Sequence, residues 1–262
     1  MQGSYGLVGE IVEGLIDRLS CRSSADLDSI FSVYVSGSYV RGDFLESNSD
    51  LDLSVVFRPG GDRLLREDPS YKLVQSEVQG IIGGRSFHSH TPGGVDWEAI
   101  RWDWLPTPKR GPSIPGPAPY YAPFGIFLFD LHRYLKVCWG EDPRPHLVEP
   151  PDPVSMATAW YEHSLERLNP DYQRVENAAS GAFKSLQVAQ IIFGEPTLDK
   201  TRLPTLYEDV VPGFPMKEEG ARLIHEVVQA RYPDHPPHFD TASHYRELVT
   251  RLWAMIQEER RL

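Results

Sequence analysis

A chain of 262 residues, 40 % hydrophobic and 24 % charged, has material for one large domain or two small ones, with an ordinary globular composition. Its formal net charge of -11 argues against broad nucleic-acid binding, which needs a basic surface. An acidic cleft would instead draw in small cationic molecules. The two cysteines, Cys21 and Cys138, lie far apart and give neither a disulfide framework nor a zinc spacing, which suits a reducing cytoplasm. No apolar run is long enough to span a bilayer, so no membrane is expected as a partner, and the first residues do not read as a signal peptide.

Leu7, Val8, Ile11, Val12, Leu15, Ile16 and Leu19 recur at helical spacing and predict a first amphipathic helix that packs on a sheet. Phe31, Val33 and Val35 then alternate with smaller or more polar residues, as in a strand with one buried face. Gly37-Ser38 breaks that strand, and a glycine there lets backbone approach a ligand closely. Residues 39–49 connect to the next strand; Val40, Phe44 and Leu45 fit one face of a short helix that leaves Arg41 exposed. The strand over 50–57 carries Asp50 and Asp52 on one face, with Leu51, Leu53 and Val55 on the other. Two adjacent carboxylates repel and lose hydration. Such a pair is stable around a cation, and hard oxygen ligands suit Mg²⁺.

Apolar spacing predicts a helix over 62–82, interrupted at Pro69 and closed by Gly83-Gly84. His88 and His90 follow in a loop and read as solvated. A third strand over 95–102 places Asp96 and Glu98 on one face, again by alternation. The proline- and glycine-rich run over 106–123 cannot hold regular structure and marks the domain boundary. Beyond it the periodicity is helical, with helices over 154–168, 181–193, 218–231 and 245–259. The expected fold class is α+β. A catalytic domain of mixed sheet and helices would occupy 1–110, a linker 111–123 and a helical bundle that binds substrate and nucleotide 124–262.

The strand, Gly-Ser turn and following Asp-apolar-Asp strand resemble the nucleotidyltransferase superfamily that includes polymerase β. Its pattern is carried here by Ser36-Gly37-Ser38 and by Ser49-Asp50-Leu51-Asp52-Leu53. The stretch DLHRYLKVCWGEDP and the segment Thr197-Leu198-Asp199-Lys200, with Leu203-Pro204 after it, further resemble aminoglycoside adenylyltransferases of the streptomycin/spectinomycin type.

The resemblance implies an enzyme that moves an NMP, in the first instance AMP from ATP, onto a hydroxyl of a small acceptor, with a cationic aminoglycoside as one candidate, releasing pyrophosphate. Asp50 and Asp52 with a third carboxylate, Asp96 or Glu98, would hold Mg²⁺, two ions in all. The other of Asp96 and Glu98 would be the base, and the residues alone do not rank the two. Gly37, Ser38 and Arg41 would lie along the triphosphate, although Arg41 can equally pair with Asp43 or Glu46. Lys200 and Tyr232 would reach the nucleotide from the helical half. Other members of the superfamily make second messengers or act on protein or RNA in toxin–antitoxin systems, and a non-catalytic nucleotide sensor on the same fold is a further alternative.

Overall fold

The computed structural model of the chain describes residues 6–44, 49–59, 65–85, 94–105 and 125–150, with positions 152, 155, 247, 250, 251, 254 and 258. The chain divides into two compact units, Met1–Tyr120 with Phe127–Glu149, and Tyr121–Ile126 with Pro150–Leu262. The elements described below form the first unit.

A four-stranded sheet runs in the order β3-β2-β1-β4, with β1 Ile30–Ser36, β2 Leu51–Phe57, β3 Val95–Ile100 and β4 Lys136–Gly140. β1 pairs antiparallel with both β2 and β4, while β2 and β3 run parallel. The parallel pair needs a crossover, which α3 (Pro69–Ile82) supplies, and the sheet is mixed.

One face of the sheet is closed by α1 (Gly6–Ser20) and α3. Val8, Ile11, Val12, Leu15 and Leu19 of α1 and Tyr71, Val74, Val78 and Ile82 of α3 pack on Val33, Val35, Leu51, Leu53 and Val55. Each such side chain contributes roughly 1.5–3 kcal/mol by leaving water. The opposite face is covered at one end by α4 (Gly125–Arg133), whose Leu131, with Leu135 just beyond it, packs with Phe31, Tyr34, Val56 and Ile100. That second cover explains why all seven residues of β1 are buried rather than the alternate ones expected of a half-buried strand.

Phe31 also departs from the alternation. The β1–β2 register shifts between Ile30 and Ser32, so Phe31 is the extra residue of a bulge and joins Tyr34 on the α4 side, away from Val33 and Val35. Gly140 ends β4 against this bulge. A Cβ there would lie 2.2 Å from the Phe31 carbonyl oxygen, and its φ of +82° is one that only glycine adopts without strain.

Pro69 begins a helix instead of interrupting one. It sits in the first turn, where its missing N–H has no helical partner to lose. The segment before it is a short 3-10 turn, Leu65–Glu67, and Asp68 caps α3 by accepting 2.8 Å hydrogen bonds from the Ser70 N–H and the Ser29 hydroxyl. Part of the apolar pattern after the linker is helical, as α4. The chain then re-enters the sheet as β4, so residues 127–149 belong with the first unit although the expected boundary placed them in the helical half. The cause is strand pairing: β1 has a second edge, and β4 satisfies it.

The expected linker, the loop holding His88 and His90, and nearly all of the helical half lie outside the described residues. Glu247, Thr250, Arg251, Ala254 and Glu258 are helical, with an Arg251–Glu247 pair one turn apart. No described helix is long and apolar enough to cross a membrane.

Two predictions follow from the joints of this scaffold. Asp68→Ala removes the α3 cap and its link to Ser29, and should lower stability by about 1–2 kcal/mol in urea unfolding. Glu77 of α3 is buried between Arg18 and Arg22, and the Arg22 hydrogen bond, aided by Arg18, outweighs burial to hold its carboxyl below the ordinary 4.5. A depressed carboxylate stabilises the fold above its unfolded value and stops doing so as pH falls through the folded one. The melting temperature should therefore drop below about pH 4.5, and Glu77→Gln should flatten that drop.

Candidate active site

Three strand positions and one turn build the site. β1 ends at Ser36, opposite Asp52 of β2, and Asp52 is itself opposite Asp96 of β3. Ser36, Asp52 and Asp96 thus form a row across the sheet on the face that α4 covers further along. Asp50 lies two residues before Asp52, immediately outside the strand. Glu98 is one rung further along, opposite Ser54, whose hydroxyl lies 3.4 Å from Glu98 Oε2. A rung spans roughly 6–7 Å, so Asp96 is the nearer neighbour of Asp52.

The turn after β1 is shaped around that row. Gly37 has φ 72° and ψ -151°, and a Cβ built on it would fall 1.9 Å from Asp52 Oδ2. No other residue fits. The Asp52 carboxylate therefore lies directly on the backbone of the Gly-Ser turn, and Ser38 opens the four-residue helix α2, Ser38–Arg41, beside it. The structure places Gly37, Ser38, Asp50, Asp52 and Asp96 at one end of the sheet, with Glu98 one rung behind Asp96.

Arg41 differs from its expected exposure. Its side chain is 8 % exposed, and its guanidinium donates to Asp43 at 3.0 and 3.4 Å and to Asp130 of α4 at 2.6 Å. Burial alone would lower its pKa; the charges of Asp130 and Asp43, with a smaller attraction from Asp52, outweigh that and raise it. The pairing with Asp43 was one of the two readings open from the sequence. Asp130 was not anticipated, yet it has a signal: it is the one acid in the apolar stretch Phe124 to Leu131, and an acid on a buried helix face calls for a cation.

At the surface Arg101 pairs with Asp103 at 2.9 Å and Arg85 with Glu10 of α1 at 2.7 Å. Burial pushes the Cys138 thiol up to about 12, which leaves it a core residue without nucleophilic character at neutral pH. Lys200 and Tyr232 lie outside the described residues.

The donor set suits a hard divalent cation. Among the described residues no three His, Cys, Asp or Glu side chains converge as a ready-made metal cluster. Mg²⁺ seldom uses such a cage: it keeps waters and takes one or two carboxylates together with substrate phosphates. Carboxylates aligned across two strands, with Asp52 held on the glycine turn, fit a metal that arrives with a polyphosphate.

Residues 16–83 match the family model for the nucleotidyltransferase domain. That segment contains the Gly-Ser turn, Asp50, Asp52 and the crossover helix α3. The chain carries a nucleotidyltransferase domain. It is thereby a transferase, and the resemblance to the polymerase-β-like superfamily holds. Among solved structures, the spectinomycin adenyltransferase AAD(9) from Enterococcus faecialis, determined with ATP and spectinomycin, is similar with a TM-score of 0.54 and 18 % identity, over 95 % of this chain and 99 % of that one. At that identity the likeness is one of fold. No curated protein matches the chain by sequence. Asp96 and Glu98 lie beyond the matched segment, and their place in the nucleotidyltransferase domain rests on the β2–β3 register.

The cradle makes a sharp prediction. Gly37→Ala should leave the domain folded, because the turn is at the sheet's end, but push the Asp52 carboxylate aside. Binding of a Mg²⁺–nucleotide complex, measured by calorimetry, should weaken at least tenfold, while a Ser32→Ala control within β1 should bind normally.

Proposed function

We propose that the protein transfers AMP from ATP to a hydroxyl of a small, cationic acceptor, with an aminoglycoside as the first candidate, and releases pyrophosphate. The observation that supports this most is the row of Ser36, Asp52 and Asp96 closed by the Gly37 turn. The solved AAD(9) structure, similar in fold, contains ATP and spectinomycin, and the net charge of -11 favours a cationic acceptor.

In this reading Asp50, Asp52 and Asp96 hold Mg²⁺, as two ions. When bound, the metal neutralises the phosphate oxygens and stabilises charge building on the α-phosphoryl group. Backbone N–H groups and the hydroxyl at Gly37-Ser38 orient the triphosphate. Glu98, set one rung from Asp96 and near the Ser54 hydroxyl, takes the proton of the acceptor hydroxyl as it attacks. The attack is in line with the departing pyrophosphate. The helical half over 150–262 supplies the acceptor pocket, with Lys200 on the phosphates and Tyr232 near the nucleotide. The protein works in the cytoplasm, where ATP is available.

A pyrophosphate-release screen with Mg²⁺, each of the four NTPs and a panel of aminoglycosides tests this. ATP with streptomycin or spectinomycin should give release. Asp52→Asn should slow it by several orders of magnitude, and Glu98→Gln should lower kcat with little change in ATP affinity. Mg·ATP binding without release for any acceptor would point to the non-catalytic sensor, and an Asp52→Asn variant of undiminished rate would remove the metal assignment.

A further inference from the structure

We propose that Arg41 is a positioning residue: gripped by Asp43 and Asp130, it ties the Gly37-Ser38 turn to α4 and so holds that turn against Asp52, instead of contacting nucleotide phosphate. The inference rests on the function proposed above.

Three observations carry it. The first is the engagement of the guanidinium. Its Nε and Nη2 reach the two oxygens of Asp43, and its Nη1 reaches Asp130 Oδ2 at 2.6 Å. An arginine that leaves these partners for a phosphate would give up ion pairs to two carboxylates that are 2 % and 5 % exposed, Asp43 and Asp130. Removing one partner from a buried pair is strongly unfavourable because the remaining charge stays desolvated.

The second is where the arginine sits in the chain. Arg41 follows Ser38 by three residues, and its own N–H donates to the Gly37 carbonyl at 3.1 Å. The N–H groups of Gly42 and Asp43 both donate to the Ser38 carbonyl at 3.0 Å. The guanidinium and the turn are therefore one hydrogen-bonded unit, and what fixes the side chain fixes the turn.

The third is the reach of the link. Asp130 is 89 positions away in sequence and stands on α4, which packs on the same sheet face that carries Asp52. The turn follows the end of β1, and α4 packs on that face through Leu131. An ion pair between them sets the distance of the turn from the β2 carboxylates, a role in which charge alone is insufficient. Lysine keeps the charge, but its single ammonium cannot reproduce a planar fork that bridges two carboxylates.

The test uses the full chain with Arg41→Lys, Asp130→Asn and the double variant. It measures Mg·ATP affinity by calorimetry, pyrophosphate release with the acceptor found or with water as acceptor, and amide hydrogen exchange over residues 38–42. Each single variant should bind Mg·ATP within about threefold of the unaltered protein and lose at least tenfold in kcat. The double variant should be no slower than the slower single one, and exchange at 38–42 should speed up in Asp130→Asn. Should Asp130→Asn fail to fold, Arg41→Lys decides by the same split between binding and turnover. A tenfold loss of Mg·ATP affinity in Arg41→Lys, with turnover unchanged in Asp130→Asn, would overturn the proposal in favour of a phosphate contact. Unaltered protein that does not bind Mg·ATP would instead remove the proposed function, and the exchange at 38–42 would then decide the brace by itself: unchanged exchange would overturn it.

Discussion

The contact between the Asp52 carboxylate and the backbone of Gly37 is the constraint on which the site depends. It places an anion on a turn with no side chain to shield it, and it does so through two antiparallel strands whose register puts Ser36 opposite Asp52. The register then sets Asp96 opposite Asp52 on the next strand, a donor arrangement that suits the cation and polyphosphate proposed above. The α1 and α3 layer backs β1, β2 and β3 on one face, and Leu131 of α4 packs on the other with Phe31, Tyr34, Val56 and Ile100.

A second charge cluster backs the first. Arg41 compensates Asp43 and Asp130 in the interior and adds attraction for Asp52. Buried ion pairs contribute little net stability, because desolvation offsets the Coulomb attraction. What they contribute is specificity of position, and here the position defined is that of the turn the nucleotide is proposed to meet. The surface pairs, such as Lys136 with Glu13 between β4 and α1, are more exposed and do less.

Much of this was legible in the sequence because it is local. Alternation fixes the faces of Asp50 and Asp52 and of Asp96 and Glu98, and Gly-Ser before an Asp-apolar-Asp strand carries a recognisable pattern. What alternation cannot give is pairing between strands. It does not say that Asp96, rather than Glu98, stands opposite Asp52, since that is a register set by the crossover through α3. Nor does it foresee the bulge at Phe31, which moves one residue to the other face, or β4, whose five residues follow a helix and read as its continuation. Pro69 was legible as a helix signal, but its meaning depends on whether helix precedes it; the Asp68 cap decides that it is a start. The burial of Arg41 was hidden because its partner Asp130 is 89 positions away.

The most direct test of the account is the number and separation of divalent ions bound with a nucleotide. Electron paramagnetic resonance of Mn²⁺ titrated into the protein with a non-hydrolysable ATP analogue reports both. Two Mn²⁺ per chain are expected, spin-coupled as ions about 3.5–4 Å apart are, with the coupling lost in Asp52→Asn. Mn²⁺ that stays free in the presence of the analogue, or that binds equally well without Asp52, would contradict it.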